Sequence, residues 1–195
     1  MTPENILVVK RSTLFSVPAP QGLLAYRPNY LDIINQAKEF LPRPEMEEDT
    51  TYKQIIPYLI FRYKDGYFLM QRCSTSSEQR LKNKYSLGIG GHMRQEDMKE
   101  GATIFDWAQR EFKEEIDYNG NCTVTPLGLL NDDSNAVGQV HVGLVLLLEG
   151  DSADIKVRSE LKSGQLYTLD ECRGFYSDME SWSQIVFDYL KTNKV

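Results

Sequence analysis

Residues 110–115 read R-E-F-K-E-E, which sets Glu111, Glu114 and Glu115 beside Arg110 and Lys113 in one short segment. The sequence around them has helical periodicity from Thr103 onward. Phe105, Ala108, Phe112 and Ile116 recur at i, i+3, i+4 spacing and define one apolar face. Thr103 with Asp106 has the form of a capping pair. At about 100° per residue the three glutamates fall within an arc of about 100°, along one edge of the buried face. Like charges at i, i+4 repel by roughly a few tenths of a kcal/mol even in water, and partial burial raises that cost. Pairing with Arg110 or Lys113 relieves the repulsion. So does a divalent cation among the carboxylates, whose hard oxygens suit Mg²⁺ or Mn²⁺. A solvated acidic face is the third reading of the same residues. The helix is expected to end near Asp117–Asn121.

Upstream, "GIGGHM" places Gly88, Gly90 and Gly91 at the end of a short strand, followed by His92. Glycines there permit a tight turn, or close approach of backbone groups to phosphate or metal. Before them, "YKQIIPYLIFRY" (Tyr52–Tyr63), the tripeptide Lys64-Asp65-Gly66 and "YFLMQR" predict a hairpin with an Asp-Gly turn. A polar loop with Arg80, Lys82 and Lys84 follows. Downstream, "CTVTPLGLL" and "VHVGLVLLLEG" predict two strands, joined by a loop that carries Asp132 and Asp133. Ala153–Val157 predicts another short strand. Ser177 and Glu180 have capping-box spacing ahead of an apolar stripe at Trp182, Ile185, Val186, Tyr189 and Leu190, predicting a C-terminal helix over 177–190.

At the other end, Asn5–Lys10 predicts a strand, Ala19–Gly22 a turn, and the apolar spacing of Tyr30–Leu41 a helix. "LPRPEMEEDT" then reads as a connector. Residues 1–50 are therefore expected to be an extension of a main domain at 51–195, covering a sheet edge or contributing to a homodimer.

The 195 residues, 41% hydrophobic and 26% charged, suit one domain with or without such an extension. A net charge of −6 disfavours nucleic-acid backbones and anionic membranes as partners, while leaving room for small phosphorylated ligands held by local cations or metals. The cysteines, Cys73, Cys122 and Cys172, are odd in number and form no CxxC pair, so neither a disulfide framework nor a zinc-cysteine site is expected. The apolar run from Val142 is too short to span a bilayer, and the N-terminal residues lack a signal-peptide pattern. These features make the cytoplasm the expected location.

The strand, the glycines, the loop and the helix with R-E-F-K-E-E together resemble the Nudix hydrolase family. Its box reads G-x5-E-x7-R-E-U-x-E-E-x-G-U, where U is a bulky aliphatic residue. Gly91 matches the opening glycine, Arg110, Glu111, Glu114 and Glu115 match the charged core, and Phe112 stands at U. The likeness covers about Tyr52–Val195. Between Gly91 and Arg110 this chain is five residues longer than the box. The first box glutamate falls on Asp97 counted forward and on Ala102 counted backward. Asp117 replaces the late glycine, with Tyr118 after it.

The resemblance implies an α/β fold, an α/β/α sandwich around a mixed sheet. It also implies a hydrolase that cleaves a phosphoanhydride in a nucleoside diphosphate linked to another moiety, or in a related organic pyrophosphate. Mg²⁺, with Mn²⁺ as the alternative, would be bound by Glu111, Glu114, Glu115 and the carbonyl of Gly90. Arg110 would orient a glutamate. Glu160, ahead of Tyr167, is the candidate extra ligand or general base. Arg72, Gly90, Gly91 and His92 are candidate contacts to substrate phosphate. His141, on an apolar strand, reads as a satisfied structural residue.

A non-catalytic Nudix-fold binding module is the second reading, although such modules commonly lose box glutamates that this chain keeps. An isopentenyl diphosphate isomerase-like enzyme ranks below both. That enzyme needs several metal-binding histidines and a cysteine beside the glycine turn, and this chain has two histidines and no cysteine there.

Overall fold

The computed structural model describes residues 3–73, 83–97, 103–158 and 161–193. Glu160 and Ala102 lie outside the described residues, as do Arg80 and Lys82. In chain order the elements are β1 (Asn5–Lys10), α1 (Arg11–Leu14), β2 (Gly22–Ala25), α2 (Asn29–Ala37), β3 (Glu39–Pro42), α3 (Arg43–Met46), β4 (Tyr52–Tyr63), β5 (Gly66–Arg72), β6 (Tyr85–Ser86) and β7 (Gly88–Gly90). There follow α4 (Ile104–Glu115), β8 (Ile116–Tyr118), β9 (Cys122–Asn131), α5 (Ala136–Val140), β10 (His141–Gly150), β11 (Ile155–Val157), β12 (Leu161–Thr168), α6 (Leu169–Cys172) and α7 (Ser181–Asn193). This is the mixed α/β class expected, with a large mixed sheet. Among the described residues its path runs β12-β5-β4-β10-β9-β2, with β1 and β7 also paired to β4, β3 to β1 and β6 to β5; β8 and β11 pair separately.

By contacts the chain forms two units. The first comprises Met1–Tyr58, Gly90–Trp107 and Pro126–Val145. Within it β1 pairs antiparallel with β3, Ile6 opposite Leu41, and with β4, Val8 opposite Gln54. Ile6 and Val8 are fully buried and pack with Met46, Leu41 and Tyr52. The expected helix over Tyr30–Leu41 is thus split: α2 stops at Ala37, and Phe40 and Leu41 belong to a strand. Apolar neighbours at 40 and 41 satisfy helical spacing, but the partner strand β1 supplies hydrogen bonds that override it. β2 pairs with β9, Ala25 opposite Gly128. A Cβ at Gly128, where φ is +155°, would stand 1.8 Å from the carbonyl oxygen of Leu24, so only glycine fits that pairing.

The second unit comprises Leu59–Ile89, Ala108–Thr125 and Leu146–Val195. The β4–β5 hairpin forms as expected, but with Tyr63 opposite Gly66 its loop is Lys64–Asp65, and Lys64 takes the left-handed φ of 53°. β12 runs along β5 from Leu161 opposite Arg72 to Thr168 opposite Gly66. Phe61 is the centre of an aromatic cluster: Phe112 stacks on it at 5.8 Å and 14°, while Phe68 and Tyr118 meet it edge-on.

Two helix boundaries differ from expectation. α4 ends at Glu115, because Ile116 is drawn into pairing with Val157 of β11. α7 begins at Ser181, since Ser177 lies in a 3₁₀ turn over Arg173–Asp178 and Gln184 N–H donates to the Glu180 carbonyl. The capping box in this region is Thr168 with Glu171, at the start of α6. The apolar stripe of α7 is core, as expected: Val186 and Leu190 are fully buried, and Ser183 Oγ accepts from Leu87 N–H at 2.9 Å.

Phe112 is 5% exposed and stacked between strand and helix. Phe112→Ala is expected to cost about 3–5 kcal/mol, read as a lower urea midpoint at unchanged slope.

Candidate functional site

The glutamate helix is built from local rules. Ile104, Trp107, Ala108 and Phe112 are buried along one face. The first turn is closed reciprocally: Thr103 N–H and Oγ1–H donate to Asp106 Oδ2 at 2.8 and 2.7 Å, and Asp106 N–H donates to Thr103 Oγ1 at 3.2 Å. These bonds hold the Asp106 carboxyl below its ordinary value. With Phe112 fixed on Phe61, Glu111 and Glu115 emerge half-buried and one turn apart, while Glu114 is exposed. Arg110 Nη1 donates to Glu114 Oε1 at 2.5 Å. The Glu115 carbonyl accepts from Arg158 N–H at 2.8 Å, which ties the end of α4 to the chain after β11.

The glycine turn has a different origin. A Cβ on Gly90 would meet the Pro57 carbonyl at 2.9 Å and Ile56 Cγ2 at 3.1 Å, so close passage of β7 over β4 requires glycine there. Beyond the turn, the Met93 carbonyl accepts from Leu7 N–H at 2.8 Å and Arg94 bridges to Ile6. Asp97 receives Arg94 Nε at 3.0 Å.

His92 is held between these anchors, and it meets the other histidine of the chain. Its Nε2 lies 2.7 Å from Gln54 Oε1 and 3.2 Å from His141 Nε2. His141 Nδ1 faces the Val137 carbonyl at 2.7 Å, so that nitrogen carries the proton and Nε2 presents its lone pair. Gln54 Nε2 donates to the Met46 carbonyl at 3.0 Å, which turns Oε1 toward His92. Burial, then Arg43 and His141, push the His92 imidazole down to about 3, so it is neutral at ordinary pH. Glu47, which accepts from Arg43 Nε at 3.1 Å, brings a carboxylate oxygen to the pair. Among the described residues, ligand atoms of Glu47, His92 and His141 lie within 4.8 Å of one another.

Beneath the pair is a buried charge. Lys53 Nζ, wholly inaccessible to solvent, donates to Asp133 Oδ1 at 2.8 Å, the Gly138 carbonyl at 2.7 Å and the His141 carbonyl at 3.1 Å. Asp133 also receives Arg11, Gln21 and Asn131. Burial acts to raise the Asp133 carboxyl, but bonds from Arg11, Lys53, Gln21 and Asn131 outweigh it and hold the group well below the carboxylate range. For Lys53 the balance is reversed: burial lowers the ammonium by more than Asp133 raises it. Asp133 governs at acid pH, because Lys53 stays protonated throughout that range.

Of the other residues singled out by sequence, Arg72 donates Nε to Glu180 Oε1 at 2.8 Å. Asp132 accepts from Ser134 N–H and Oγ–H within its own turn. The glutamate after Tyr167, Glu171, caps α6. Sequence reasoning missed Glu47 and Gln54 altogether and separated His141 from His92. No spacing rule within one segment joins these residues, and of the four only Gln54 and His141 lie on strands.

No protein-family model matches the chain. Protein YmaB of Bacillus subtilis strain 168 is 34% identical over 205 residues, covering 96% of this chain and 98% of that protein. Among solved structures, Tm1382, provisionally assigned as a Nudix hydrolase, is 31% identical with a TM-score of 0.78, covering 97% of this chain and 100% of its own. The Nudix domain of NrtR from Shewanella oneidensis, solved with ADP ribose, covers 73% of this chain and 89% of its own at a TM-score of 0.57; at 10% identity it shares the fold alone.

The Asp133 carboxylate gives a pH signature. Its folded value lies well below its unfolded value of about 3.9, so its contribution is fully present above that pH and is lost gradually as pH falls from there through the folded value. Asp133→Asn is expected to cost about 3–5 kcal/mol at pH 7, because a buried ammonium loses its counter-charge. The gap to wild type should narrow progressively below about pH 4 and close only as pH falls through the folded value, so in urea titrations it should be full at pH 5 and 7 and reduced but still present at pH 3.

Proposed function

The chain belongs to the Nudix hydrolase family, and on that premise we propose that it is a divalent-metal-dependent pyrophosphohydrolase of a nucleoside diphosphate linked to another moiety. The observation that carries this is the intact charged core of the box on α4: Glu111 and Glu115 half-buried and one turn apart, with Arg110 fixed to Glu114. Three carboxylates along one edge of α4 form a hard oxygen set, which fits Mg²⁺ or Mn²⁺. Glu111 and Glu115 would hold the ion, joined by Glu114. The ion supplies charge neutralisation at phosphoryl oxygens and a more acidic bound water.

The reaction adds water across one P–O–P bridge, giving two phosphorylated products and releasing a proton. Arg110 limits Glu114 to one orientation, so the carboxylate set is arranged before substrate arrives. The aromatic stack beneath Phe112 fixes the rotation of α4 and hence the edge on which the glutamates emerge. Arg72, whose Nε donates to Glu180, remains the candidate contact to substrate phosphate in this reading. NrtR's ligand, ADP ribose, belongs to the proposed chemical class and is a suitable first member of a substrate panel.

The test is cleavage of nucleoside diphosphate derivatives, coenzymes and dinucleotides with Mg²⁺ or Mn²⁺. Glu115→Gln should keep the fold and its thermal midpoint while lowering turnover by roughly 100-fold or more. Wild-type turnover by that variant, on a substrate the wild type cleaves, removes α4 from the catalytic centre. As a solvated face, the substitution would do no more than ease repulsion between Glu111 and Glu115.

A further inference from the structure

The Nε2 atoms of two buried or part-buried imidazoles, His92 and His141, face each other at 3.2 Å. Metal–nitrogen bonds are about 2.0–2.1 Å, so two ligand atoms on one octahedral or tetrahedral edge stand about 2.8–3.4 Å apart. The imidazoles already have that spacing. His141 donates its Nδ1–H to the Val137 carbonyl, the outer bond that fixes tautomer and orientation in metal-ligating histidines. Gln54, fully buried, has its amide oriented by the Met46 carbonyl and aims Oε1 at the same point. Glu47 stands at the exposed side, its carboxylate held by Arg43.

We propose that Glu47, His92 and His141, with the amide oxygen of Gln54, form a binding site for a borderline-soft dication of the Zn²⁺ or Co²⁺ class. Two imidazoles, a carboxylate and an amide oxygen suit such an ion better than Mg²⁺. In the ion-free protein the same atoms make a hydrogen-bond relay, with His92 Nε2–H donating to Gln54 Oε1. Binding moves that proton to Nδ1 of His92, a change of tautomer with no net proton release. Lys53 acts as a positioning residue, because its bond to the His141 carbonyl fixes the backbone from which that ligand projects. The site uses none of the α4 glutamates and goes beyond the hydrolase reading. It also gives residues 1–50, expected as a non-catalytic extension, a ligand in Glu47.

The test uses the full chain after chelator treatment, titrated with Co²⁺ by visible absorption and with Zn²⁺ by calorimetry and competition. The expected result is one Co²⁺ site with d–d bands, displaced by Zn²⁺ and retained in Glu115→Gln. Glu47→Gln and His92→Asn should each weaken it on the order of 100-fold, since a lost ligand costs at least as much as a lost outer-shell partner. Glu47 is exposed, so its variant should keep the wild-type thermal midpoint and decides the matter if His92→Asn misfolds. Three outcomes overturn the proposal: no Co²⁺ or Zn²⁺ binding by wild type, wild-type affinity in a folded Glu47→Gln or His92→Asn, or loss of the signal in Glu115→Gln. Failure of the hydrolase reading is separate, because it would appear as absent turnover with Co²⁺ binding intact.

Discussion

The ammonium of Lys53 has no access to water, and the architecture of the first unit follows from satisfying it. A buried lysine needs an acceptor for each of its three protons and a counter-charge. The carbonyls of Gly138 and His141 and the carboxylate of Asp133 meet that need. Asp133 in turn gathers Arg11 from α1, Gln21 from the segment before β2 and Asn131 from the end of β9. One β4 residue thereby fixes the turn that leads into β10 and the first residue of that strand. Replacing the whole network by apolar groups could be nearly neutral in energy, but it would release the backbone at His141.

That backbone restraint connects structure to chemistry. His141 enters the core with Nδ1 committed to a carbonyl and Nε2 directed at His92. His92 is set by a different restraint: Gly90 must pass close to Pro57, and Met93 is tied to Leu7, leaving the histidine between two fixed points. The convergence of the rings therefore follows from main-chain hydrogen bonding on either side and does not depend on mutual attraction between the rings. Preorganisation of this kind lowers the cost of gathering ligands around an ion.

The glutamate helix is arranged by simpler means. Its start is closed by Thr103 and Asp106, its apolar face by Ile104, Trp107, Ala108 and Phe112, and its rotation by the stack of Phe112 on Phe61. Charge repulsion along the edge is eased by the contact of Arg110 with Glu114. The half-burial of Glu111 and Glu115 follows from helical geometry once Phe112 is seated.

The sequence by itself determined the features that depend on near neighbours. The 3.6-residue period placed α4 and aligned its glutamates, the β-branched and aromatic runs placed the β4–β5 hairpin, and the charged core of R-E-F-K-E-E carried the family resemblance. Where two periods were both satisfied, as at Phe40 and Leu41, local pattern was insufficient, and β1 decided in favour of a strand. The turn of the hairpin moved from Asp-Gly to Lys64–Asp65 because strand register, a cross-strand property, sets loop length. Only the tertiary structure joined His92 to His141 across 49 residues and to Gln54 across 38. Only it buried Lys53, whose charge read alone argues for the surface. Convergence of side chains from separate strands and turns is fixed by sheet pairing and main-chain hydrogen bonds between distant segments, and no periodicity within a single segment records it.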